Sequence, residues 1–293
     1  MRDSLRHILV TGGAGFVGSS LIAELVKDNS LKVYSLDNYF TGKEENHIKG
    51  ASYIKGGCKD IEKWINFVPD IIFHFGEYSR VSTSFEDLKI VWDYNIKGTY
   101  KVLEFCRKHH CKFIYSASST KFADNGHNKD ASPYAFFKAQ NTELIKNYHS
   151  WFNLDYAITY FYNVYGNRHI KTGKYATAIG IFEEQYQNNQ PITVVKPGYQ
   201  TRDFTHIDDI VKGLILLMEK GSGDNYCFGT GQTYTILEIA QKFKEDIVFL
   251  EERQGERFET FIDLRKSHQM GWKATYKLAD YIQQFKQTAK NIK

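Results

Sequence analysis

The chain holds 293 residues, 42% of them hydrophobic and 25% charged, with a formal net charge of +4. That size and composition describe one large globular unit or two closely joined ones, and they exclude a disordered chain. No block of consecutive Lys or Arg marks a nucleic-acid surface, and no apolar run approaches the roughly 18 residues of a membrane span. The four cysteines, Cys58, Cys106, Cys111 and Cys227, form neither a CxxC pair nor a zinc-type spacing, so no metal is expected. The apolar stretch near the N-terminus is too short for a secretory leader, and a soluble, cytoplasmic protein is expected.

In chain order, strands are predicted at 7–11, 32–37, 52–56, 70–76, 112–117 and 155–166, with helices over 16–27, 85–109 and 133–151. Several strands are apolar on both faces, as a parallel sheet covered on both sides requires. Beyond 166 the pattern turns irregular. ITVV and RDFTHIDDI read as short extended pieces, and helices are predicted over 208–220, over 234–246 and from about 276. His206, Asp208 and Asp209 read as a helix start with an acidic first turn rather than as catalytic groups.

The first strand runs into TGGAGFVGS, where Gly12, Gly15 and Gly18 precede an amphipathic helix. Glycines at this spacing permit a tight turn, let the backbone approach a pyrophosphate and let helix pack on strand. The pyrophosphate then rests on the positive end of the helix. Asp37 ends the second strand, where such a fold places a carboxylate against the adenosine ribose hydroxyls. With a carboxylate there and no adjacent Arg, NAD is expected over NADP. The fold predicted is therefore α/β, a Rossmann-type doubly wound parallel sheet. Residues 1–166 form its NAD-binding domain, to which 203–228 return, and 167–202 with 229–293 form a smaller mixed α/β substrate-binding part. The expected cofactor wall is Gly12, Gly15, Phe16, Val17, Gly18, Asp37, Asn38, Asp60, Ile61, Phe75, Gly76, Asn95, Tyr134 and Lys138.

SASSTKF ends the fifth strand, and SPYAFFK follows with Tyr134 and Lys138 on one face of a helix. Tyr39 and Lys43 share that spacing, but only Tyr134 opens a helix directly after a strand end that meets the cofactor crevice. TGGAGFVGS, LDN, HFGEYSRV, Asn95 to Thr99 (NIKGT), the Ser118, Tyr134 and Lys138 set, YFYNVYG, RDFTHIDD and ERQGE together resemble the extended short-chain dehydrogenase/reductase family, the nucleotide-sugar epimerases and dehydratases. The likeness runs over nearly the whole chain. It implies that Tyr134 removes a proton from a sugar hydroxyl while hydride passes to NAD, that Ser118 holds the oxygen, and that Lys138 anchors the nicotinamide ribose. A neighbouring ammonium is needed because a free tyrosine, with a pKa near 10, is scarcely ionised at neutral pH.

By the same resemblance Asn163, Arg202 and Arg253 contact the diphosphate or nucleotide of the substrate, and the protein is a homodimer. Glu77 and Arg80 stand where relatives carry small or apolar residues, with a phosphate, a substrate carboxylate or each other as partners. Dehydratases of this family place an Asp and a Glu directly after the Ser or Thr, whereas this chain has Ser119 and Thr120. Neither hydroxyl is a base near neutral pH without an activating partner. A C4 epimerase of a nucleotide-diphosphate sugar is therefore the expected activity. A 4,6-dehydratase using Lys121 or Glu77, a 4-dehydrogenase or reductase, and a silent NAD sensor remain the alternatives.

Overall fold

The structure is a computed structural model and describes residues 5–127 and 129–291. Seven strands form one parallel sheet: β1 (Arg6–Thr11), β2 (Leu31–Asp37), β3 (Ser52–Lys55), β4 (Ile71–His74), β5 (Lys112–Ser118), β6 (Tyr156–Phe161) and, after two short strands of other sheets, β9 (Gly223–Phe228). Their order is β3-β2-β1-β4-β5-β6-β9. The chain leaves β1 towards β2 and β3, then returns to β4 on the other side of β1. The connections on either side of β1 thus diverge, and a crevice opens at the carboxyl ends of β1 and β4.

Successive residues of β1 face opposite layers. Leu9 joins a core with Ile72, Phe113, Val102 and Ile145, while Ile8 and Val10 join another with Phe73, Leu21, Ile22, Ile210 and Leu214. The first layer carries α4 (Thr99–His109) and α5 (Pro133–Phe152), and the second carries α1 (Phe16–Leu25) and α7 (Ile207–Lys220). Each fully buried Leu, Ile or Phe of these cores contributes about 1.5–3 kcal/mol.

A third core, with Phe182, Ile192, Val194, Ile239 and Phe243, belongs to the smaller part. There β7 (Ile192–Val195) pairs in parallel with β11 (Ile247–Leu250), and β8 (Thr201–Asp203) pairs antiparallel with β10 (Thr233–Thr235). Helices α6 (Ala178–Gln187), α8 (Ile236–Phe243) and α10 (Leu278–Asn291) cover them, and a capping box of Thr235 and Glu238 starts α8.

Boundaries depart from the sequence reading in physically explicable ways. The strand expected over 155–166 ends at Phe161, because Asn163 takes a positive φ of 29° and only an isolated bridge from Tyr165 to His206 continues it. The helix expected over 85–109 starts at Leu88 and carries a π-helical stretch from Trp92 to Gly98 before α4. His206 accepts from the Asp208 amide and caps α7, while buried Asp209 ties that helix to Thr275, Tyr276 and the Trp272 indole. The third residue of this trio, Asp208, is exposed.

Candidate active site

The crevice at the carboxyl ends of the strands has a volume of about 500 Å³. Its first wall is the turn after β1. Gly12 has a φ of +71°, and a Cβ there would lie 2.9 Å from the Gly76 amide, while a Cβ on Gly18 would lie 2.2 Å from the Gly12 carbonyl. A Cβ on Gly15 meets only the Gly12 carbonyl, at 3.2 Å. The turn is therefore closed towards the protein and open towards the crevice, the shape that a pyrophosphate requires on the N-terminus of α1. Asp37 is buried at the end of β2 and accepts from the Ala14 amide at 2.9 Å and the Tyr39 amide at 2.7 Å. Burial raises its pKa, and the two backbone donors oppose that rise. A carboxylate so placed accepts from ribose hydroxyls and repels a ribose phosphate, so the residues present fit NAD.

Around the opposite wall runs a chain of buried polar groups. Thr11 Oγ1 accepts from the amides of Phe75 and Gly76 at 3.2 and 3.1 Å, so its proton goes to His74 Nδ1, 2.7 Å away. That assigns the His74 proton to Nε2, which donates to Thr99 Oγ1 at 3.0 Å; Thr99 in turn donates to Glu77 Oε1 at 2.7 Å. Burial pushes the His74 pKa down to about 4, so the ring is neutral as this pattern requires. Glu77 also accepts from Tyr115 at 3.1 Å and from Asn141 at 3.0 Å, and its other oxygen pairs with Lys138. The side chains of Glu77 and Lys138 are only 2% and 6% exposed. Lys138 donates as well to the Ser116 carbonyl at 2.5 Å.

Local structure supplies each of these groups. Ser132 caps α5 by accepting from the Ala135 amide at 3.1 Å, and with Pro133 in the first turn it sets Tyr134 and Lys138 one turn apart on the crevice face. The Asn95 carbonyl, in the π-helical stretch, accepts from Asn141 at 2.6 Å. At the end of β5, Ser118 Oγ accepts from the amide and hydroxyl of Thr120 at 3.3 and 2.9 Å. Both its lone pairs are then engaged, and its own proton remains to be donated into the crevice.

Gly12, Gly15, Phe16, Val17, Gly18, Asp37, Asn38, Phe75, Gly76, Glu77, Arg80, Ser118, Ser119, Thr120, Tyr134, Lys138, Asn163, Arg202 and Arg253 all line the crevice. Four expected residues do not. Asn95 is fully buried and bonds both the amide and the carbonyl of Tyr78, at 2.7 and 3.0 Å, so it fixes the loop that carries Glu77. Lys121 turns to Tyr160 and Asp224, at 3.1 and 3.4 Å, which removes it from any proton transfer. Ile61 is core, and Asp60 lines a smaller adjoining cavity. Arg80 makes no ion pair with Glu77: it donates to the carbonyls of Tyr175 and Ser79. Asn163 donates to the Asp203 carbonyl at 2.7 Å, and Arg202 pairs with Glu256. Glu256 and Arg257 also line the crevice and were not singled out from sequence. Arg257 donates to Ser119 Oγ at 3.0 Å, and burial, with Arg202 nearby, brings its pKa down to about 10. Their signal was the charged run around Gly255.

A profile of the NAD dependent epimerase/dehydratase family matches residues 8–229. The chain belongs to this family. Among members of the epimerase/dehydratase family, a candidate UDP-glucose 4-epimerase of Methanocaldococcus jannaschii is 31% identical over 97% of this chain and 98% of its own. The UDP-glucose 4-epimerase of Thermotoga maritima, solved with UDP-glucose, is 25% identical, covers 98% of this chain and 100% of its own, and superposes with a TM-score of 0.87. A UDP-N-acetylglucosamine 4-epimerase from Methanobrevibacter ruminantium is 28% identical, with 98% of each chain covered and a TM-score of 0.85. The family is NAD-dependent, and the glycine turn and Asp37 have the shape and charge that fit this cofactor.

Replacing Glu77 with Ala leaves the Lys138 ammonium buried without its counterion. A loss of about 3–5 kcal/mol in urea unfolding is expected. Glu77→Gln, which keeps the shape and most donors paired, is expected to lose less. Equal stabilities for wild type and Glu77→Ala would show that the pair does not hold the site.

Proposed function

We propose that the chain is an NAD-dependent epimerase of nucleotide-diphosphate sugars acting at C4. The observation that carries this reading is a crevice with Ser118, Tyr134 and Lys138 on one wall, a dinucleotide turn on the other, and hydroxyls alone at positions 119 and 120. NAD, when bound, supplies a reversible hydride acceptor beside the sugar carbon. Tyr134 takes the C4 hydroxyl proton as the hydride leaves, and Ser118 donates its free proton to the C4 oxygen. The 4-keto sugar turns over, hydride returns to the opposite face, and Tyr134 gives the proton back. Lys138, held by Glu77 and the Ser116 carbonyl, is assigned to the nicotinamide ribose.

The diphosphate is assigned to Arg202 and Arg253, with Asn163 beside them, because guanidinium groups match phosphate oxygens with charge-assisted bonds. Elimination of water from C5 and C6 needs an acid and a base beside the sugar, and Ser119 and Thr120 supply neither. Relatives named as 4-epimerases support inversion further. A cytoplasmic location is part of the same reading, supported by four free thiols and by the lack of any helix among the described residues long and apolar enough to cross a membrane.

Tyr134→Phe is expected to lower kcat by about 10²–10⁴-fold while NAD stays bound. Undiminished turnover would refute the role given to Tyr134. A homodimer through α4 and α5 belongs to this reading too, since Trp92, Tyr100, Phe136, Trp151 and Phe152 are exposed on or beside those helices. Sedimentation should give about twice the 34.0 kDa of one chain; a lone monomer at micromolar concentration removes that part.

A further inference from the structure

Among the described residues, the buried charged groups of the crevice are met by an ion pair or by several hydrogen bonds, with one exception. Glu77 takes Lys138, and Glu256 takes Arg202. Arg80 spends its donors on the carbonyls of Tyr175 and Ser79. Arg253 is exposed at the rim. Arg257 is left with one hydrogen bond, to Ser119 Oγ, and among the described residues it has no carboxylate within 4.0 Å. A guanidinium has five N–H donors, and one held beside a second guanidinium with a single bond is short of an anion.

Arg257 is also held firmly. Its carbonyl accepts from Arg202 at 2.9 Å, and the next carbonyl, of Phe258, accepts from the Thr201 amide at 2.9 Å. Asp124 takes the amides of Phe258 and Glu259 at 3.4 and 2.7 Å. The segment is thereby fixed to β8 on one side and to the turn after β5 on the other. A cation placed this rigidly is pre-organised for a ligand rather than adapting to one. Its position says which part of the ligand. On the proposed mechanism Ser118 meets the oxygen of the reacting carbon; Arg257 bonds the next residue, Ser119, and is assigned to the neighbouring ring substituent.

We propose that Arg257 binds a carboxylate carried by the sugar beside the reacting carbon, so that the preferred substrate is a nucleotide-diphosphate hexuronic acid rather than the neutral hexose. This rests on the nucleotide-sugar reading above and deepens it. The carboxylate offers two oxygens to the free edge of the guanidinium, and Ser119 keeps the guanidinium oriented. The neutral hexose presents a hydroxymethyl group there, which leaves the cation without a counter-charge.

The test is binding to the NAD-loaded protein of a hexuronate, the matching hexose and the free nucleoside diphosphate, each in the uridine and thymidine series. Wild type is expected to prefer the hexuronate by about 10- to 150-fold, the range of a charge-assisted hydrogen bond. Arg257→Leu should bring that ratio close to one, and Arg257→Lys should restore part of it. Equal wild-type affinity for hexuronate and hexose overturns the proposal without any variant having to fold. Equal losses for all three ligands in Arg257→Leu make Arg257 a diphosphate contact and overturn it as well. If no nucleotide ligand of either series binds, the nucleotide-sugar reading itself falls and this proposal with it. Tight hexose binding with no uronate preference sinks the proposal alone.

Discussion

A lysine ammonium cannot sit in a protein interior without a partner, and Lys138 has Glu77. Burying both charges costs several kcal/mol each unless every remaining donor and acceptor is met. Thr99, Tyr115, Asn141 and the Ser116 carbonyl meet them. Those groups come from α4, β5 and α5, so the pair locks the elements that carry Ser118, Tyr134 and Lys138 into one register. Through Thr99 and His74 the same network reaches Thr11, the last residue of β1 before the glycine turn. The glycine-turn side and the Lys138 side of the crevice are joined by hydrogen bonds rather than by packing alone.

The topology explains why these groups converge. A parallel sheet aligns every carboxyl end on one edge, and the reversal of strand order beside β1 keeps that edge open. Thr11 sits opposite His74 in the β1 and β4 register, so one side chain at the end of each strand suffices to start the polar chain. The smaller part closes the crevice from the other side. It brings Arg202 on β8 and the stretch from Arg253 to Arg257, and Asp124 clips the next two residues, Phe258 and Glu259, to the turn after β5.

Much of this was legible in the sequence, for reasons that are local. A strand, a glycine turn and an amphipathic helix occur together in TGGAGFVGS, and a Ser-Pro start with Tyr and Lys four apart specifies a helix face. What was not legible depends on contacts far apart in the chain. Asn95 looks like a polar group bound for the cofactor, yet the backbone of Tyr78 satisfies both ends of its amide. Lys121 follows two hydroxyls that face the crevice, but the tight helical turn from Ser119 rotates it to Asp224. The seventh strand, β9, has no strong pattern of its own, and its register with β6 is interrupted between Ala157 and Thr159. Glu77 was recognised as a departure; its partner proved to be Lys138 and not Arg80, whose donors go to the carbonyls of Tyr175 and Ser79.

The chemistry is then set by what surrounds Tyr134. Hydroxyls rather than carboxylates follow Ser118, and the one ionic group against them, Arg257, is a poor base. Such a site is suited to removing and returning one hydride and one proton, and positions 119 and 120 hold no carboxylate to pull the C5 proton. The most direct measurement is NMR of a nucleotide sugar turned over by the NAD-loaded protein in deuterated water. Inversion at C4 with no solvent deuterium in the sugar is the expected result. Deuterium at C5, the mark of elimination or decarboxylation, would contradict the account.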